Sequence, residues 1–564
     1  MSTKSTSPRS PAPPSAPSSA PEAARPAAAL ATVGRVARIG LGEQRTWLTA
    51  LPVAVGLLTA VLAPSYGSTY ATAADLARAV ASARLNTTST FLYGTLPEGA
   101  DVVQLTVWEL GALTCLVLGV VIVLRAVAAS RAAEEAGRAE TLRAVGAGAV
   151  TQLAGSALVL GVQCLGLGAG AGAGLLTLAR AGTADALAYG AAVALTCALA
   201  AAGTLLVCQL LADATAARGA CLVLMALLFA WHGAACAEGW GWAGACFPFS
   251  LRGEVDPGGL NDLAPLAVAA LALAALLVAA GSAAAARDLG AGLVRPPRRT
   301  PRPLRVRGPL TLAVRLCRYQ ALAWAAGTAA ASAVLTTMGQ DVVTTARQGG
   351  LEGGSLGSLL SGEDPGTSFL RYIGTLVGCL AASQAVALCG RPVADERAGR
   401  LEAQRATGTG SARILVSWWG VGVLAAGVTL AVSTMTAGWA GVRVLGTSWA
   451  DAVRLVGGQL PAALAAAGVT TLLCGTWPRG RAAAWAPVLI SLGIAQLGGV
   501  LDLPQVLLDA APLAQAGERS SLWLAGCGLL GVVLGGVGIG RRDLWVDGVE
   551  ARAPADRLRG AHGQ

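Results

Sequence analysis

Apolar residues along the chain gather into long, nearly unbroken runs separated by polar stretches. Twelve runs are long enough to cross a bilayer as helices of about 20 residues: 46–64, 102–124, 150–176, 186–211, 219–237, 263–286, 319–338, 371–390, 414–438, 452–477, 483–500 and 522–540. The polar stretches carry a second pattern. With the N-terminus placed in the cytoplasm, the inside segments hold 32 of the 41 Lys and Arg residues, as the positive-inside rule requires. The pattern predicts a multi-pass plasma-membrane protein with both termini cytoplasmic. Residues 1–32 are rich in Pro, Ser and Ala and are expected to be a disordered tail. A basic amphipathic stretch, 33–45, leads into the first run. No apolar core closely follows the first charges, so no signal peptide is expected.

The connecting segments repeat. The strip 134–146 reads EEAGRAETLRAVG and the strip 396–408 reads ERAGRLEAQRATG; without a gap they agree at eight of thirteen positions. Each strip falls between the second and third runs of its half. The first outside segments, 65–101 and 339–370, are both long and polar, and the halves end alike, with ARDLGAG (286–292) and RRDLWVDG (541–548). The predicted fold is therefore an all-α polytopic membrane protein, with twelve transmembrane helices arranged as two parallel pseudo-symmetric six-helix halves. Its segments are 33–290, a stiff basic linker 291–318, 319–548 and a cytoplasmic tail 549–564, after the 1–32 tail. Six crossings return each half to the same side, so the pseudo-two-fold axis lies along the membrane normal.

Read as one helix, each strip places Glu134 before Arg138 and Glu396 before Arg400 at i,i+4, the favourable order. Leu142 and Val145 form a short apolar face, replaced by Gln404 and Thr407 in the second copy. Gly137 and Gly399 would weaken a helix by about 1 kcal/mol relative to Ala, which suggests a bend or a close contact. Topology needs only the arginines. Keeping Glu134/Glu396 and Glu140/Glu402 suggests a surface that docks on another protein.

Composition then narrows the chemistry. The chain is 54% hydrophobic and 13% charged, with mean hydropathy +0.61, against about 25% charged residues in a soluble domain. The net charge of +10 follows from topology and needs no nucleic acid. Lys4 stands alone against forty Arg. It lies in the Pro/Ser tail, so no Walker A loop, kinase lysine or Schiff-base lysine is present. The two histidines, His232 and His562, leave little material for metal binding or imidazole catalysis, and no metal site is expected. The twelve Cys contain no CxxC pair, and most sit in apolar runs as small packing residues. Cys236 and Cys246, flanking an outside loop, leave open a disulfide or two unpaired thiols.

The two strips and the RDL endings resemble those of ABC-2-type exporter permeases, in the actinobacterial polyketide-antibiotic (tetronasin-type) exporter group, over roughly 35–548. The resemblance implies an efflux permease that is not itself an enzyme. It implies two copies of a separate cytoplasmic ATPase binding ATP and Mg, with no cofactor in this chain. The cargo would be a hydrophobic or amphiphilic, antibiotic-like small molecule. Short helices between the second and third spans would contact the ATPase. Carried over, the coupling residues are Glu134, Gly137, Arg138, Glu140 and Arg143 in one half, and Glu396, Gly399, Arg400, Glu402 and Arg405 in the other.

The competing architecture is a proton-coupled major-facilitator transporter, which shares twelve spans in two parallel halves. ADERAGR (394–400) resembles that family's loop signature with one residue inserted. Such a carrier usually needs a buried acid, and the one clear candidate is Glu109, about 11 Å into the second run at 1.5 Å per residue. Glu109 either snorkels beside Trp108 or, opposite Arg371 by repeat register, forms a gate pair with it. An intramembrane enzyme would need a constellation of acid, base and nucleophile at depth, and none is visible. Gly166, Gly170 and Gly174, four residues apart inside a run, read as a helix-packing seam; so do Gly531 and Gly535.

Overall fold

The computed structural model describes residues 26–70, 72–241, 248–294, 306–347, 364–497, 504, 508, 511–513 and 521–543. The chain divides into two compact units, residues 1–298 and 299–564.

Local sequence sets the helix boundaries. Asp101 and Gln104 form a reciprocal capping box at the start of Val102–Ala129, with bonds of 2.8 and 2.9 Å; this meets orphan donors of the first turn. Asp364 caps Pro365–Cys389, accepting from Gly366 N at 3.0 Å, with Pro365 in the first turn where its missing N–H costs nothing.

In the first unit, helix Pro26–Thr69 packs along Ala149–Leu175, which packs on Thr183–Leu210; that helix also meets Val102–Ala129 and Ala264–Ala286. Ile122, Leu160, Leu167 and Val193 are fully buried where these helices meet. In the second unit, Pro309–Arg347 packs along Ser411–Val444, Pro365–Cys389 meets both Ser411–Val444 and Leu460–Thr476, and the latter lies against Leu522–Arg541. The apolar surface is turned outward as well as inward. On Ala264–Ala286 the buried residues are small alanines, while Leu271 and Val278 are each 72% exposed. A face of that kind is unfavourable in water and suited to lipid.

Ten described helices are long and apolar enough to cross a membrane, six in the first unit and four in the second. The chain is thus a multi-pass membrane protein. Two of the twelve predicted runs are not among the ten. Run 319–338 lies within the 39-residue helix Pro309–Arg347. Run 483–500 begins in the 3-10 segment Pro478–Trp485 and continues as the 12-residue helix Ala486–Leu497, while 498–500 lie outside the described residues.

The structure also alters the predicted connections. The tail expected to reach residue 32 gives way to helix at Pro26, and the amphipathic stretch and first run are one 44-residue helix that passes through Pro52 and Pro64. The segment 65–101, predicted as the first outside loop, is largely helical: Ala73–Leu85 is capped by Thr72, and Thr87–Tyr93 by Asn86. Thr and Asn were legible as polar loop residues, but their use as helix caps was not.

Candidate functional site

Each strip is two short helices joined by a glycine in the left-handed region. Helix Arg131–Glu135 gives way to Arg138–Ala144 through Gly137 at φ 77°, and Arg391–Arg397 to Arg400–Arg405 through Gly399 at φ 69°. Further left-handed glycines close the strips, Gly146 at φ 87° and Gly408 at φ 82°. There is open space around all four, so backbone conformation, which only glycine adopts cheaply, accounts for them. The expected i,i+4 pairs are absent because the left-handed residue interrupts the helical stacking. Arg138 instead lies 3.4 Å from Glu43, and Arg400 pairs with Asp395 at 2.8 Å.

The two glutamates that open the strips point inward. Glu134 is gripped end-on by Arg287, with Nη1–Oε1 2.8 Å and Nη2–Oε2 2.6 Å. Arg131, only 1% exposed, adds a 2.8 Å bond to Oε2, and Gly290 N donates to Oε1 at 2.6 Å. Glu396, also 1% exposed, is gripped by Arg542 at 2.5 and 2.8 Å. Arg287 and Arg542 occupy equivalent places: each is the cap residue just after an apolar helix, with φ −109° and ψ 152° or 154°. Each also reaches a third element. Arg287 Nε donates to Gln209 Oε1 at 2.7 Å, at the end of Thr183–Leu210. Arg542 donates to the carbonyls of Gly475 and Cys474 at 2.8 and 3.0 Å, at the end of Leu460–Thr476. Charges this buried must be paired and further hydrogen-bonded to be tolerated, and fork-on-fork pairing fixes orientation as well as distance.

The strip and the RDL ending, separate repeats in the sequence, therefore meet in a single ionic clamp within each unit. Sequence reasoning placed Glu134 and Glu396 on a docking surface and gave Arg287 and Arg542 no role. The available signal was that both repeats pair an acid near one helix end with a base at another. The residues left exposed are Arg138, Glu140 and Arg143 on one strip and Arg400, Glu402 and Arg405 on the other. Beside the first strip, Arg138, Leu142, Arg143, Gln152 and Arg287 line an open cavity. Val145, near the end of the first strip, is 76% exposed.

The other candidates are placed as follows. Glu109 lies on Val102–Ala129, near Tyr66 of helix Pro26–Thr69. It does not share its neighbour's setting, since Trp108 is buried and donates from Nε1 to Gly94 O at 2.7 Å. Arg371 lies in the other unit, on Pro365–Cys389. Cys246 lies outside the described residues. Gly166, Gly170 and Gly174 face helix Pro26–Thr69: a methyl at Gly166 would stand 3.0 Å from Pro52 Cγ, one at Gly174 would stand 2.6 Å from Gly56 O, and one at Gly170 would meet Pro52 O.

Apolar helices with lipid-suited faces, and charged clamps collected at their ends, define a polytopic membrane protein. Comparison with known proteins agrees. Residues 306–521 match the family described as "Multidrug efflux system permease Rv1217c, C-terminal domain". Over 538 residues the chain is 28% identical to the multidrug efflux system permease protein Rv1217c of Mycobacterium tuberculosis, covering 89% of this chain and 95% of that protein. The chain is thus a homologue of a multidrug efflux permease along nearly its whole length.

Proposed function

We propose that this chain is the permease subunit of an ATP-driven ABC exporter of the ABC-2, tetronasin-type group, moving hydrophobic or amphiphilic drug-like compounds out of the cell. The observation that carries the proposal is the recurrence of one built device: two short helices joined by a left-handed glycine, clamped at the base, exposing Arg, Glu and Arg at matching positions. A chain without a Walker lysine but with two such exposed triads suits a partner that hydrolyses ATP. Two copies of that ATPase, each holding ATP and Mg, would meet Arg138, Glu140 and Arg143 in one half and Arg400, Glu402 and Arg405 in the other. The glutamates at the base would anchor the strips and make no contact with the partner. Matching helix partners in the two units support the pseudo-symmetric twelve-span arrangement, and the arginine distribution supports cytoplasmic termini. Cargo would pass along apolar and small side chains. The printed name of the M. tuberculosis relative supports efflux as the activity.

Affinity purification of the full chain from its native membrane tests the reading. We expect a stoichiometric ATPase in the wild-type preparation and its loss on combining Arg138→Glu with Arg400→Glu. Export that continues without any ATPase, driven by a pH gradient, would sink the proposal in favour of a major-facilitator-type mechanism.

A further inference from the structure

We propose that Arg287 and Arg542 are positioning residues that make each strip move as one body with two apolar helices. This rests on reading the strips as the ATPase contact. In the first unit the body joins strip 134–146 to the ends of Thr183–Leu210, through Gln209, and of Ala264–Ala286, through Arg287 itself. In the second it joins strip 396–408 to the ends of Leu460–Thr476, through the carbonyls of Cys474 and Gly475, and of Leu522–Arg541.

The physical basis is the mismatch between the clamp and its surroundings. The exposed part of each strip follows a left-handed glycine and is seated by one buried side chain, Ala139 in the first and Leu401 in the second. So small a seat would shift under load and dissipate a push. The clamp lies immediately before that glycine and is two-pronged, with the Glu134 and Glu396 side chains 8% and 1% exposed. Separating a largely buried carboxylate from its guanidinium gives up the pairing that offsets the desolvation of both, so displacement as a unit is the easier response. The two helices held by each arginine are then the elements that a push on the strip displaces. The first clamp is doubled, since Arg131 also holds Glu134 and reaches Ala291 O at 2.7 Å.

The test uses the full chain with the ATPase that copurifies with it and a dye, from a lipophilic panel, that the wild type exports. Arg542→Lys keeps the charge but replaces the planar fork with a single ammonium. It should melt like the wild type, retain the ATPase in wild-type amount and hydrolyse ATP at the wild-type rate. Its export should be slower by about tenfold, the equivalent of one charge-assisted hydrogen bond. Glu396→Gln should lose export likewise, with a lower melting temperature because Arg542 is left without its carboxylate, and export per folded chain in the pair combined should be no worse than in either alone, because both act through one contact. Export at the wild-type rate in Arg542→Lys overturns the proposal. So does a loss of export that merely tracks lost ATPase or lost fold. If the wild type carries no ATPase, the docking reading fails on its own; a normal export rate in Arg542→Lys would still count against the clamp.

Discussion

Gly531, in the middle of helix Leu522–Arg541, offers a direct measure of how tightly the second unit is packed. A methyl there would stand 2.6 Å from the carbonyl oxygen of Gly468 and 2.7 Å from its carbonyl carbon. Both atoms belong to the backbone of helix Leu460–Thr476 and cannot swing aside. Restoring ordinary contact at about 3.5 Å requires the helices to part by roughly 0.9 Å, and a gap of that size forfeits about a quarter to a half of each dispersion contact along the seam. Overpacking of this kind costs about 1–3 kcal/mol. Gly536, on the same helix, has nothing within 4 Å. There an alanine should stabilise by about 0.5–1 kcal/mol through helix propensity alone. The propensity gain applies at both positions and cancels, so Gly531→Ala should be less stable than Gly536→Ala by about 1–3 kcal/mol. Titration of the solubilised chain with SDS, followed by tryptophan fluorescence, would read the difference. Equal shifts of the same sign would refute the claim that this seam depends on backbone-to-backbone approach.

Further outcomes are expected. Gly137→Ala and Gly399→Ala each place a side chain at positive φ, costing about 1–2 kcal/mol, with no steric clash to relieve; the strips should reorient, and ATPase recovery on purification should fall while the helical circular-dichroism signal persists. Arg287→Gln should destabilise the chain less than Arg287→Gln combined with Arg131→Gln, because Glu134 keeps its 2.8 Å pair with Arg131 in the single variant; equal melting shifts would show that the doubled grip adds nothing. Arg252 is 4% exposed and donates to the carbonyls of Phe249, Tyr93 and Trp108. Arg252→Leu should cost several kcal/mol, at about 1–3 kcal/mol per buried group left unmet, and a variant as stable as the wild type would contradict the role assigned to those bonds.

Much of this protein was legible in its sequence, for reasons that can be traced to particular residues. Long apolar runs place most of the helices because every backbone polar group in lipid must be satisfied within its own helix. The two strips were visible because a direct repeat needs no structural knowledge to detect. Their internal form was not. Gly137 inside a charged segment looks the same whether it weakens a helix or turns left-handed, since φ leaves no mark on composition. The clamp was hidden for a different reason. Arg287 lies 153 residues from Glu134, and Arg542 lies 146 from Glu396. No helical periodicity links partners so far apart. Both halves of each clamp had been noticed as repeats, yet only tertiary structure brings them together. Run 319–338 was legible in the same way, and Pro309–Arg347 packs along Ser411–Val444 as a long helix.

Among the described residues, the bonds of the first clamp close within 131–291 and those of the second within 396–542. Cutting the polypeptide between those two spans would sever none of these bonds. Each half carries its own strip, its own grip on that strip and its own pair of displaced helices. A gene fusion that joined two formerly separate subunits would leave this record: mechanical parts present in duplicate, each complete on its own side of the join, free to diverge as Arg131 and Gln404 show.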